Sequence, residues 1–98
     1  MNENLVLEFM KEKAANTAAL GKTIKFLIDD SPIFIDGTGD QNVVSTDNKE
    51  ADCVISASAS TLEKLQSGDL NPMMAVMTGK IKIKGDMSVA MKIQSLLA

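Results

Sequence analysis

The chain has 98 residues, of which 45% are hydrophobic, and a net charge of −3, a balance typical of one globular domain and not of a disordered segment. The acidic charge argues against nucleic acid as a partner, and no apolar run approaches the ~20 residues that span a bilayer. Because the chain has no histidine, Ser-His-Asp and Cys-His catalysis and the usual zinc sites are excluded, and we expect no enzyme activity, cofactor or metal.

The N-terminal half is predicted to hold one helix followed by short strands. The helix covers residues 3–20 and Gly21 provides its stop. The apolar residues on one side of it are Leu5, Val6, Phe9 and Met10. The predicted strands are 23–28, 33–36, a short one around Val43 and Val44, and 51–57. Turn residues at 29–32 join the first two strands as a hairpin, and Ile24, Phe26 and Ile28 share one face.

The C-terminal half begins with a helix at Ser60, because Ser60-Thr-Leu-Glu63 matches a capping box, and this helix runs to about Ser67. Asn71-Pro72 then predicts an N-cap and a first helical position for a short helix that ends at Gly79. Residues 80–84 alternate lysine and isoleucine as a fifth strand, and residues 87–97 form the last helix.

Three short motifs are better interpreted as turns than as sites. The calcium-loop pattern that starts at Asp36 has Gln41 where glycine is needed. The glycines at 37 and 39 lack the third glycine of a dinucleotide fingerprint, and Gly79-Lys80 lacks the upstream glycine of a phosphate loop.

Five of the seven methionines lie close together in the sequence: Met73, Met74, Met77, Met87 and Met91. Methionine is flexible and polarizable, so such a cluster fits either an adaptable apolar surface or an irregular core. In the last helix, Met87, Met91 and Gln94 share one stripe beside a second apolar stripe, although a sheet requires only one. The short helix at 72–79 covers the extra stripe, or the stripe faces a ligand whose polar group meets Gln94.

Residues 68–94 resemble the C-terminal signature of the sterol carrier protein type 2 family: a Gly-x-Leu-x-Pro helix, a Gly-Lys-apolar-Lys-apolar strand and a methionine-rich helix. Residues 51–55 and 21–26 are similar to two further strands of that family, and the resemblance covers nearly the whole of 1–98 as one domain. The ending Ser95-Leu-Leu-Ala98 lacks a peroxisomal Ser-Lys-Leu signal, which suits a short bacterial-type member in the cytoplasm.

The resemblance implies an α/β fold, in which a five-stranded, largely antiparallel sheet is covered by helices and encloses an apolar tunnel. It implies noncatalytic binding and carriage of a fatty acid, fatty acyl-CoA, phospholipid or sterol-like lipid. The residues carried over as tunnel wall are Phe26, Ile28, Met73, Met74, Met77, Ile83, Met87, Met91 and Gln94.

Several interpretations stay open at this point. The methionine surface could meet a protein partner in an interaction or dimerisation domain. Lys80, Lys82 and Lys84 are better interpreted as a solvated strand face, against the alternative of transient docking on an anionic membrane.

An empty pocket of ~300 Å³ would cost about 7 kcal/mol, so we expect a bound lipid, closure by a homodimer, or collapse. Cys53 is expected to be a small buried hydrophobe in a reduced, cytoplasmic chain.

Overall fold

The computed structural model describes residues 3–89 and 92. The helices are α1 (Glu3–Ala15), α2 (Ala59–Ser67) and α3 (Pro72–Met77). The strands are β1 (Thr23–Ile28), β2 (Ser31–Asp36), β3 (Val43–Ser45), β4 (Cys53–Ala57) and β5 (Lys82–Gly85). Residues 87–89 and Lys92 are helical as well, and the rest of the predicted last helix lies outside the described residues.

The strands form one five-stranded sheet in the order β3-β2-β1-β4-β5. Strand β1 pairs antiparallel with β2 and parallel with β4, while β2–β3 and β4–β5 are antiparallel. The predicted fold class, a mixed α/β domain with a largely antiparallel sheet, is confirmed. The lysine-bearing strand β5 lies at one edge, as expected for a strand whose charges discourage further pairing.

The inner face of the sheet holds the core. Phe26, fully buried in the central strand, is flanked by Ile33 on β2 and Ile55 on β4. Side chains directly opposite each other in a ladder point to the same face, so these three form one apolar row. The helical residues buried in the same core are Val6, Phe9, Met10, Ala14, Ala59, Leu62, Leu65, Ala75 and Val89. The prediction that Leu5 shares the buried side of α1 is wrong, because its side chain is 50% exposed.

The segment between β3 and β4 crosses the outer face of the sheet. It must pass β2 and β1, because β3 lies at one edge and β4 lies beyond β1. Within it, Asn48 accepts a hydrogen bond of 3.1 Å from the Lys25 ammonium, and the Lys49 ammonium lies 5.8 Å from the centre of the Phe34 ring. This segment explains why Phe34 is buried on the face opposite the helices.

The β1–β2 hairpin turns through Asp29 and Asp30, with φ of 49° and 68°. Two consecutive positive φ values are typical of the tight turn that matches strand twist, and aspartate tolerates them better than most residues. Pro32 was expected in the turn but lies inside β2, opposite Leu27. Strand β3 pairs only with residues 34–36 of β2. Pro32 therefore lies outside the part of β2 that pairs with β3, and the N–H that proline lacks is not needed for that pairing.

The predicted end of α1 is wrong by five residues: the helix stops at Ala15 and not at residue 20. The cause is a contact from far along the chain. The Asn42 amide donates to the carbonyl oxygens of Ala14, Thr17 and Ala18, and its oxygen accepts from the Leu20 amide at 3.0 Å. These four bonds satisfy backbone groups that a longer helix would have satisfied itself.

Three other boundaries differ from the prediction. Helix α2 begins at Ala59, since Ser58 and not Ser60 caps it by accepting from the Thr61 amide. Strand β4 begins at Cys53 and β5 at Lys82. The amides of residues 80 and 81 both donate to the Ala75 carbonyl, which keeps them in the turn after α3. The predicted Asn71 cap of α3 is confirmed by its acceptance from the Met73 amide at 2.8 Å.

We expect Asn42→Ala to lower the free energy of unfolding by about 2–3 kcal/mol, because it leaves partly buried backbone groups without partners. Urea denaturation followed by circular dichroism measures the change. The matched control is Gln41→Ala, an exposed neighbour in the same loop. If both variants unfold at the same midpoint, Asn42 does not hold the end of α1 in place.

Asp52, just before β4, joins the start of β1 to the end of β5. Its carboxylate accepts from the amide and hydroxyl of Thr23, and its carbonyl accepts from the Asp86 amide at 2.9 Å. A Cβ at Gly85 would lie 2.3 Å from that carbonyl oxygen, so only glycine fits there. The hydrogen bond from the Thr23 amide, and after it the one from the Thr23 hydroxyl, are the main causes that hold the pKa of Asp52 below its ordinary value of 3.8.

A carboxyl whose pKa is lower in the folded chain stabilises the fold above about pH 3.8 and loses that contribution as the pH falls through its folded pKa. Asp52→Asn cannot titrate, so we expect its stability to decline less steeply below that pH than the wild type's. Thermal unfolding across this range measures the difference. Thr23→Val, which removes the hydroxyl donor, should shift the slope in the same direction. An unchanged acid slope in both variants would contradict this role.

Candidate functional site

A cavity of about 500 Å³ lies at the end of the sheet where the β1–β2 hairpin turns. It is bounded by α1, the hairpin, the residue after β3 and the first residue of α2. The described residues that line it are Asn4, Val6, Leu7, Ile28, Asp29, Ser31, Pro32, Ile33, Thr46 and Ala59.

The floor of the cavity is apolar because it is a continuation of the core. Ile28 and Ile33 belong to the buried inner face of β1 and β2, and Val6 is buried on the core side of α1. Leu7, the next residue of α1, is half-buried and packs against the same core. The cavity therefore extends the hydrophobic core outwards to the surface.

The polar lining residues are Asn4, Asp29, Ser31 and Thr46. Asn4, Asp29 and Thr46 are exposed, so solvent reaches this side of the cavity. An apolar interior with a few polar groups is the usual lining of a pocket for a small molecule. This cavity suits an amphiphile with its chain against the isoleucines and its head group towards solvent.

Asp29 is held in place by hydrogen bonds of both its backbone and its side chain. Its amide donates to the Ala57 carbonyl at 3.1 Å, and one carboxylate oxygen accepts from the Ala59 amide at 3.3 Å. The hairpin is thereby attached to the junction between β4 and α2. These contacts fix the carboxylate at the rim.

The predicted tunnel residues lie in different places. Ile28 lines the cavity. Phe26 is fully buried at the centre of the same sheet face, and Ile83 is half-buried on β5 opposite Ile55. Met91 and Gln94 lie outside the described residues.

The other four predicted methionines lie at the surface. The exposed fractions are 56% for Met73, 51% for Met74, 76% for Met77 and 60% for Met87. Among the methionines in 3–89, the buried one is Met10 in α1. Contact between the four exposed residues and a ligand stays a prediction.

The three predicted basic residues of the edge strand, Lys80, Lys82 and Lys84, are exposed. Lys80 and Lys82 border a separate depression of about 240 Å³, which they share with Asp29 and Asp30. Cys53 is buried in the sheet, and burial raises the pKa of its thiol, as expected for an inert hydrophobe.

Over residues 3–89 and 92, no three His, Cys, Asp or Glu side chains are grouped as a metal site would require. Within the same residues, no helix has the length and apolar character needed to cross a membrane.

Sequence reasoning missed most of the cavity lining, because four separate elements contribute to it. The one available signal was in α1, where Leu7 continues the apolar run of Leu5 and Val6 beyond the width of a single stripe. The polar residues Ser31 and Thr46 gave no such signal.

The chain is similar to known proteins in both sequence and fold. Bovine (Bos taurus) sterol carrier protein 2 is 32% identical over 105 aligned residues, which cover 95% of this chain and 19% of that protein. Bovine hydroxysteroid dehydrogenase-like protein 2 is 48% identical over 48 residues, which cover 49% of this chain and 12% of that protein. The chain therefore matches about a fifth or less of the length of these two relatives.

The fold itself matches a solved structure, that of the sterol carrier protein domain 2 of Helicoverpa armigera, with a TM-score of 0.77. The two share 24% sequence identity, and the match covers 99% of this chain and 90% of that one. The model of the SCP-2 sterol transfer family matches residues 3–98. The chain therefore belongs to the SCP-2 sterol transfer family.

Proposed function

We propose that this chain binds and carries a lipid-like amphiphile, without catalysis, in the cavity between α1 and the β1–β2 hairpin. The observation that carries the proposal is the cavity itself, whose volume is about 500 Å³ and whose floor includes Ile28 and Ile33. Pockets that hold small ligands span ~300–1,000 Å³ and are lined mainly by apolar side chains. Membership of the SCP-2 sterol transfer family supports the same class of ligand.

The energetics favour an extended apolar ligand. Each methylene that leaves water for the cavity gains about 0.8 kcal/mol, so a chain of six to eight buried methylenes supplies about 5–6 kcal/mol. The polar rim allows the head group to keep its hydrogen bonds with water. Binding of this kind requires no reactive group.

The finer expectations belong to this proposal as well. The candidate ligand classes are fatty acids, fatty acyl-CoA, phospholipids and sterol-like lipids. The chain is expected to act in the cytoplasm. Transient membrane contact and a homodimer are two further expectations. Family membership does not favour the alternative of a protein-interaction domain with a methionine-rich surface.

We expect Leu7→Trp to weaken binding of a fluorescent fatty-acyl probe by about tenfold, because the larger ring fills space beside the cavity floor. The matched control is Leu5→Trp, two residues earlier in α1, where the side chain is half exposed and is not part of the described lining. The chain has no native tryptophan, so energy transfer from residue 7 to a bound probe gives a second measurement.

A third variant separates the cavity from the methionine surface. Met77→Asp places a charge on α3, at a position that is 76% exposed. If this variant abolishes probe binding while Leu7→Trp leaves it unchanged and both remain folded, the ligand binds at the methionine surface and the proposed cavity site is wrong.

A further inference from the structure

The lining of the cavity is unusual in its charge. Of the lining residues whose side chains the structure describes, which leaves out Glu3, Asp29 is the one with a charged side chain. The residues outside the described ranges, 1–2, 90–91 and 93–98, contain no lysine, arginine, aspartate or glutamate. None of their side chains can therefore supply a cation to the lining.

The position of Asp29 keeps its charge at the cavity. The Ala59 amide, at 3.3 Å, and the backbone bond to Ala57 hold the residue against the start of α2. Its φ of 49° restricts the substitutions that this position accepts, and asparagine is among the residues that adopt this conformation most readily.

Asp29 also borders the smaller depression. Lys80 and Lys82 line that depression together with Asp29 and Asp30. Within the described residues, neither lysine forms an ion pair of 4 Å or less with Asp29. Lys82 and the core residue Ile83 are adjacent in β5, so their side chains point to opposite faces of the sheet.

We infer that Asp29 determines the ligand specificity of the cavity, by disfavouring amphiphiles with an anionic head group and favouring uncharged, hydroxyl- or amide-bearing ones. This inference rests on the proposed function, since it assumes that the amphiphile occupies this cavity. A ligand carboxylate near a fixed carboxylate loses Coulomb energy, whereas a hydroxyl or amide head group can donate a hydrogen bond to it.

The test uses two probes with the same dansyl group and chain, one with a charged head group and one without: 11-(dansylamino)undecanoic acid and its methyl ester. The extra methyl group of the ester is the same in every variant, so the change in the affinity ratio reports the charge. The wild type should bind the ester more tightly than the acid. In Asp29→Asn, the ratio of the two affinities should shift towards the acid by roughly fivefold, the effect of removing one partly screened charge at close range. Asparagine keeps an oxygen that can accept from the Ala59 amide, so the turn is preserved.

The matched control is Asp30→Asn, which makes the same change of charge in the same turn at φ 68°, but at a residue that borders only the smaller depression and is not in the described lining of the cavity. Its affinity ratio should stay within about twofold of the wild type, since water and salt screen the more distant charge. Salt at about 0.5 M should reduce the wild-type discrimination.

The outcomes separate the two proposals. If neither probe binds the folded wild type, the proposed function fails. If both probes bind and Asp29→Asn shifts their ratio no more than Asp30→Asn does, the cavity binds amphiphiles and the specificity assigned to Asp29 is wrong.

Discussion

The buried inner face of β1 is the constraint on which the rest of the structure depends. Phe26 lies at the centre of the sheet, between Ile33 and Ile55, and its side chain is completely removed from solvent. Burying a large aromatic side chain contributes several kcal/mol, but only if other elements cover that face. Helix α1 and the segments after β4 are held against the sheet by this requirement.

The helices cover the inner face completely at the centre of the sheet and incompletely at the end where the β1–β2 hairpin turns. There, Ile28 and Ile33 continue the buried face, while α1 and the first residue of α2 stand far enough apart to leave about 500 Å³. The cavity is thus a consequence of how the core ends.

The polar rim changes the energetics expected of an empty pocket. A closed, dry void of ~300 Å³ would cost about 7 kcal/mol, which approaches the stability of a whole domain. Asn4, Asp29 and Thr46 are exposed at this cavity, so water reaches it and the full cost of a dry void does not apply. A solvated cavity therefore costs less stability when empty than a dry void, and a ligand gains affinity from the apolar area that it removes from water.

What could be predicted from the sequence was local. The residues of β1, the antiparallel hairpin and the Asn71 cap of α3 follow from alternation, turn residues and capping chemistry within a few positions. The end of α1 could not be predicted in this way, because Asn42, 25 residues after Thr17, fixes it. The cavity could not be predicted either, since its lining joins four elements through the fold.

The methionine cluster illustrates the same limit. Sequence proximity and residue type suggested a common wall, but Met73, Met74 and Met77 are exposed on a short helix in which Ala75 is buried. A six-residue helix presents one narrow face to the core, and here the smallest side chain occupies it. Residue type alone could not indicate which side of α3 would face inwards.

Photo-crosslinking with a diazirine-bearing fatty alcohol, followed by mass spectrometric mapping of the labelled residues, tests the central claim most directly. The account predicts labels on the residues of α1 and the hairpin that line the cavity, Val6, Leu7 and Ile33 among them, and competition by unlabelled ligand. Labelling confined to α3 and Met87, or labelling that unlabelled ligand does not displace, would contradict it.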